Sequence, residues 1–215
     1  MSGCPSRSLR TAGAVAAALA LAGCGAGARQ DASERNATFT VRVAHASFPA
    51  SQRLSQHTRL VITVSNAGSA TIPDVTVTIT DPTIKHPTTV RAFDYRLERP
   101  NLAARSRPVW IVDRSPGPCG ERCRSAGAGG ALTAYSNTWA LGPLAPGASA
   151  TFEWALTAVR PGRHVLRYQV AAGLNGKATT RLQRGARPRG TFTVTIAGRA
   201  EQSYVDNQGH IVRTR

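Results

Sequence analysis

An all-β domain is predicted by three observations: apolar residues recur at every second position through six segments, turn chemistry bounds those segments, and no stretch after residue 37 carries a sustained helical stripe with a cap. Phe39, Val41 and Val43 alternate with Thr38, Thr40 and Arg42. Leu60, Ile62 and Val64 alternate with Val61, Thr63 and Ser65, and Val75, Val77 and Ile79 with Thr76, Thr78 and Thr80. A strand sends successive side chains to opposite faces, so each segment has one apolar and one mainly polar face.

The second half repeats the pattern. Phe152, Trp154 and Leu156 oppose Thr151, Glu153 and Thr157; Leu166, Tyr168 and Val170 oppose Arg167 and Gln169; Phe192, Val194 and Ile196 oppose Thr191, Thr193 and Thr195. Pro146-Gly147 and Pro161-Gly162 fit type II turns, with proline fixing φ at the first central position and glycine taking positive φ at the second. Asn175-Gly176 predicts a hairpin between Val165–Ala171 and Ala178–Leu182. Gln202 to Val205, Asp206 to Gly209 and His210 to Arg213 read as strand, turn, strand, finishing a sheet edge or projecting as an arm. Two sheets meeting on their apolar faces satisfy all these segments, which makes the architecture a sandwich.

The N-terminus is built for export. Arg7 and Arg10 precede an Ala/Leu/Val run from Thr11 to Ala22, and Leu21-Ala22-Gly23-Cys24 closes it. This resembles the lipobox of bacterial lipoproteins, which implies cleavage before Cys24, diacylation of its thiol and anchorage at the outer face of the cell membrane. Ala26-Gly27-Ala28 also fits ordinary signal peptidase, which would release a secreted soluble protein. An uncleaved anchor is disfavoured, because the run falls far short of the ~20 residues a bilayer span needs. Residues 1–23 are thus a signal peptide, 24–37 a lipidated N-terminus and flexible tether, 38–199 the sandwich, and 200–215 a tail.

Formal charge is +16, and removing the signal takes two arginines and no acid, leaving +14. Lys85 and Lys177 are the lysines, so arginine dominates, as codon usage in a GC-rich genome also tends to produce. Distribution carries more than total. From Trp154 to Ala200 no Asp or Glu occurs, while Arg160, Arg163, Arg167, Lys177, Arg181, Arg184, Arg187, Arg189 and Arg199 are positive, a block that attracts anions. Cys119 and Cys123 flank a glycine and, in an oxidising compartment, are expected to form a local disulfide. The ring is small and shapes one loop rather than holding the domain. The pair lacks redox-motif spacing and further nearby zinc ligands, so no metal is expected.

Arg59-Leu60-Val61-Ile62-Thr63-Val64-Ser65-Asn66-Ala67-Gly68-Ser69, followed by Ile72 to Ile79, resembles the second and third strands of bacterial immunoglobulin-like domains of the CARDB type, a family associated with cell adhesion. Leu144 to Phe152, then Pro161-Gly162 and the strand through Tyr168, is similar to later strands of that family. The resemblance covers about residues 55–80 and 139–172. It implies an immunoglobulin-like antiparallel β-sandwich and an adhesion-type role. The chain departs from the family by an insertion at about Asp81 to Tyr135, in which Thr89–Tyr95 and Val109–Val112 form candidate extra strands and Ser125 to Gly130 a glycine-rich loop.

Catalytic signatures are missing from the sequence: no nucleophile elbow, Ser-x-x-Lys, His-Glu-x-x-His or phosphate-cradling glycine loop occurs. His45, His57, His86, His164 and His210 are scattered, and Asp94, Glu98 and Asp113 lie among arginines expected to pair with them. No catalytic residue and no cofactor are assigned; a cluster of His45, His57 or His86 with a carboxylate in one pocket would revive an enzyme. Trp110, Trp139 and Trp154 either stack sugars or fill the core, and periodicity favours the core for Trp139 and Trp154. The expected function is a non-catalytic, lipid-anchored binding or adhesion module. Its basic surface, with Arg181, Arg184, Arg187 and Arg189 as anion-binding candidates, would contact an anionic envelope polymer, lipid headgroups or an acidic protein. A structural subunit of an envelope complex is the alternative. Nucleic acid is not expected, since export removes it and no recognition motif is present.

Overall fold

The computed structural model describes residues 34–84, 91–95, 108–117, 137–200 and 202–214. Every regular element among them is a strand: β1 (Ala37–Ser47), β2 (Ser51–Leu54), β3 (His57–Asn66), β4 (Thr76–Thr80), β5 (Phe93–Tyr95), β6 (Trp110–Arg114), β7 (Thr138–Ala140), β8 (Ser149–Ala158), β9 (Gly162–Ala171), β10 (Ala178–Arg181), β11 (Arg189–Ala200), β12 (Gln202–Val205) and β13 (Ile211–Thr214). The first sheet runs β10-β1-β3-β8-β6-β5 and the second β2-β11-β9-β4-β7. The neighbours β1-β3-β8-β6 facing β11-β9-β4 reproduce the immunoglobulin order, in which the first, second, fifth and fourth strands oppose the seventh, sixth and third. This assignment stands on strand order alone.

The predicted alternation is realised in burial. Val41, Leu60, Ile62, Val64, Phe152, Trp154 and Leu156 of the first sheet meet Val77, Ile79, Leu166, Val170, Val194 and Ile196 of the second. Trp110, Trp139 and Trp154 are each at most 1 % exposed, so the sugar-platform reading is overturned. Trp139 and Trp154 pack edge to face at 5.3 Å between centroids, and Phe93 touches all three indoles. Such rings bury large area at the centre of a thin core. Gly190 is required by this packing, because a Cβ there would run into the Tyr168 ring.

Part of the expected insertion belongs to the sandwich itself. β6 adds to β8 with a bulge between Val112 and Arg114, and just beyond the expected insertion β7 adds to β4. β5 pairs with β6 over Phe93–Tyr95, shorter than the Thr89–Tyr95 strand the sequence suggests. Gly147 has φ +73° and Ala148 N–H bonds to Ala145 O, as a type II turn requires.

The Asn175-Gly176 hairpin is corrected. β10 does not form a ladder with β9; it crosses to the other sheet and pairs in parallel with β1. At this turn the Glu34 carboxylate accepts hydrogen bonds from Asn175 N and Ala178 N at 2.6 Å each. A Cβ at Gly173 would overlap that carboxylate and oblige it to shift.

Register also gives the sandwich two distinct ends. The N-terminal end holds Ala37, the start of β10 and the 172–177 turn; the far end holds Ser47–Ser51, Asp81, Pro161 and the close of β11. β12 and β13 continue from that far end as a separate two-stranded sheet with Gly209 at φ 86° in its turn, so the tail is an arm rather than a sheet edge.

Candidate binding surface

The outward residues of β3, β8 and β6 form a face of mutual satisfaction. Hydroxyl pairs Thr63–Thr151 (3.0 Å) and Ser65–Ser149 (2.8 Å) cross from β3 to β8. Glu153 accepts from Arg114 at 2.7 Å and lies 3.8 Å from Arg59, so two arginines share one carboxylate. Asp113, placed outward beside Arg114 by the β6 bulge, accepts from Thr157 Oγ1 at 2.6 Å and approaches His57 Nδ1 at 3.3 Å. Asp113 therefore meets a threonine and a histidine where arginine partners were expected.

The His57 cluster brings a predicted histidine to a carboxylate, on an open sheet rather than in a pocket. Thr157 Oγ1 lies 2.9 Å from the same Nδ1 that faces Asp113. A nucleophile relay needs carboxylate and hydroxyl on opposite ring nitrogens, and this arrangement lacks it. His45 bonds Ser47 at the surface and His210 bonds Asp206 within the tail turn. His86, Glu98, Cys24, Cys119 and Cys123 lie outside the described residues.

The outer face of the second sheet is different. Its strands carry Arg53, Arg163, Arg167, Arg189 and Arg199, all exposed, and no Asp or Glu. Arg167 is flanked in register by Thr191 and Thr80, Arg163 by Thr195, and Arg189 by Gln169. Arg167 and Arg189 are thus diagonal neighbours, about 7–8 Å apart at the backbone, and Arg163 lies four residues, roughly 13 Å, along β9. None of them ion-pairs with a described carboxylate. Guanidinium forks beside threonine hydroxyls, with no carboxylate partner among the described residues, suit phosphate or carboxylate oxygens.

The four arginines favoured by sequence divide between places. Arg189 belongs to this face, Arg181 ends β10 at the edge of the first sheet, and Arg184 and Arg187 lie in the connecting loop; all four are exposed. Arg163 and Arg167 fall inside the acid-free block, and only their shared register with β11 shows that they extend the Arg189 surface.

One histidine–carboxylate pair is interior. His164 on β9 approaches Asp81 with Nδ1 3.3 Å from Oδ2, too poorly aligned for a full hydrogen bond, and His164 Nε2 has no partner among the described residues. Burial alone would raise the Asp81 pKa, yet His164 and the Thr83 hydroxyl and amide outweigh it and hold the carboxyl below its ordinary value. Trp110 lies edge-on to His164 at 5.5 Å and donates Nε1–H to Gln52 Oε1 at 2.8 Å. Among the described residues no group of three or more His, Cys, Asp or Glu side chains is placed to hold a metal ion.

No protein-family model matches the chain, and no curated protein matches it. Among solved structures it is similar to a CARDB domain from Pyrococcus furiosus determined in complex with di-metal ions, at 12% identity over 75% of this chain and 94% of that one, with TM-score 0.40. It is also similar to native alpha-2-macroglobulin from Escherichia coli, spanning domain MG7 to the C-terminus, at 11% identity, 78% and 18% coverage and TM-score 0.40. A chaperone–tip adhesin complex of CFA/I fimbriae gives 9% identity, 80% and 66% coverage and TM-score 0.33. At this distance no residue role transfers from any of them.

Proposed function

We propose that this chain is a non-catalytic binding module, exported and held at the outer face of the cell membrane through a lipid on Cys24, which captures anionic envelope polymers on the outer face of its second sheet. The supporting observation is a contrast in pairing: Arg163, Arg167 and Arg189 share a face whose strands carry no carboxylate, while Arg59 and Arg114 on the first sheet share Glu153.

A second reading, a structural subunit of an envelope complex, draws on one feature. Tyr204, Val205 and Ile211 are 56%, 65% and 72% exposed, and all belong to the far-end hairpin. An isolated two-stranded sheet has little stability of its own, which suits an arm that docks on a protein.

Salt separates the two readings. The chain from residue 24, carrying Cys24→Ser, is titrated with purified anionic envelope polymer across a salt series. Polymer capture by the arginine face falls steeply with ionic strength and is lost in Arg163→Gln/Arg167→Gln/Arg189→Gln. Binding indifferent to salt and to these substitutions would sink the first reading and direct the search to the hairpin.

A further inference from the structure

The N-terminal end of the sandwich carries a second basic surface, separate from the sheet face. Arg35 lies just before β1, Lys177 in the turn after β9, and Arg184 and Arg187 in the loop before β11; all are exposed. That loop closes beside the last residues of β9, since Val170 N–H bonds to Pro188 O. Two carboxylates among the described residues share this end, and both are turned into backbone. Glu34 is bound by the amides of Asn175 and Ala178, and Asp74 accepts from Gly142 N at 2.8 Å.

Glu34 also fixes where the chain leaves the body. Only ten residues separate it from Cys24, a reach of at most about 35 Å however they run. A lipid on Cys24 would therefore hold this end, rather than the far end with its hairpin, nearest the bilayer.

We infer that the turns at the N-terminal end, through Arg35, Lys177, Arg184 and Arg187, dock on the anionic phospholipid headgroups of the membrane that anchors the chain. The inference rests on the proposed anchoring for its orientation, but the headgroup contact is a property of the body itself. Docking end-on sets the β-strands upright on the bilayer, so that the Arg163–Arg167–Arg189 face stays open to polymers and the hairpin points outward. Each basic residue near an anionic surface adds on the order of fivefold to binding, so four acting together retain a body that is already tethered.

The test uses the chain from residue 24 with Cys24→Ser, so that no acyl chain contributes. It is applied to vesicles of phosphatidylglycerol mixed into phosphatidylcholine and to pure phosphatidylcholine vesicles. Sedimentation should show binding to the anionic vesicles alone. Arg35→Gln/Lys177→Gln/Arg184→Gln/Arg187→Gln should weaken it on the order of 500-fold, with thermal unfolding unchanged, whereas Arg163→Gln/Arg167→Gln/Arg189→Gln should change it less than about threefold. Inorganic phosphate should compete no better than chloride at equal ionic strength. Equal binding to both vesicle types, equal loss in both variants, or specific displacement by free phosphate would each overturn the headgroup assignment. Loss of polymer capture with vesicle binding intact would count against the sheet-face reading and leave this one standing.

Discussion

The two outer faces of the sandwich use the same residue types to opposite effect. On the first sheet Arg59 and Arg114 converge on Glu153, and His57 and Thr157 on Asp113. On the second sheet Arg163, Arg167 and Arg189 stand among threonines with no acid in any strand. Both faces cover one shared core, so the difference costs the fold nothing that packing must repay. What it teaches is that net charge is a poor guide to a binding surface and internal pairing a better one. A paired arginine has already spent its directional hydrogen bonds, whereas an unpaired one keeps its fork for a ligand.

The comparison holds only if the core is common to both sheets, and that has the largest expected consequence. Trp154→Ala from the first sheet and Trp139→Ala from the second should each cost about 3–5 kcal/mol in chemical denaturation; a loss in only one would mean that the sheets are separately stabilised. Next in size is the contrast itself. Arg163→Gln/Arg167→Gln/Arg189→Gln should weaken polymer binding by on the order of 100-fold, roughly 2.7 kcal/mol, while Arg59→Gln/Arg114→Gln leaves it within about twofold. Equal losses from the two variants would erase the distinction between the faces.

The interior pair gives a third place for charge, intermediate in expected size. Asp81 has a depressed pKa in the folded protein, so the stability it contributes is present above the unfolded carboxyl range and is lost as pH falls through the lower folded value. Asp81→Asn should cost about 1–3 kcal/mol at neutral pH and shrink the gap between variant and parent below about pH 4. A gap that persists in acid would assign the role of Asp81 to shape rather than charge. The smallest effect belongs to the exposed ion pairs: Glu153→Gln should change stability by less than about 1 kcal/mol, yet free Arg59 and Arg114 and give the first sheet a measurable, salt-sensitive affinity for the same polymer.

The strands were legible because a half-buried sheet imposes period two, and Leu60–Val64, Phe152–Leu156 and Phe192–Ile196 obey it without interruption. Trp139 and Trp154 could be placed in the core on the same ground, whereas Trp110 sits in a continuous apolar run that hides its face. Crossings between sheets leave no such trace. β10 pairs with β1 rather than β9, and a glutamate more than a hundred residues away bonds the turn before it; no local propensity encodes either contact. The arginine face was half legible: absence of acid marked the segment, but pairing of Arg167 with Thr191 depends on register between β9 and β11. The Asp81–His164 contact depends likewise on β4 and β9 lying side by side.

The chain enters β1 at one end of the sandwich and leaves β11 at the other. A pull between a membrane-fixed N-terminus and a partner gripping the hairpin would act along the strands. The parallel ladder of β2 with β11 and the antiparallel ladder of β1 with β3 would then be sheared with all their bonds loaded together, instead of being unzipped one at a time. The same strand order that encloses the core thus sets both sheets to meet a pull on the two chain ends as shear along the strands.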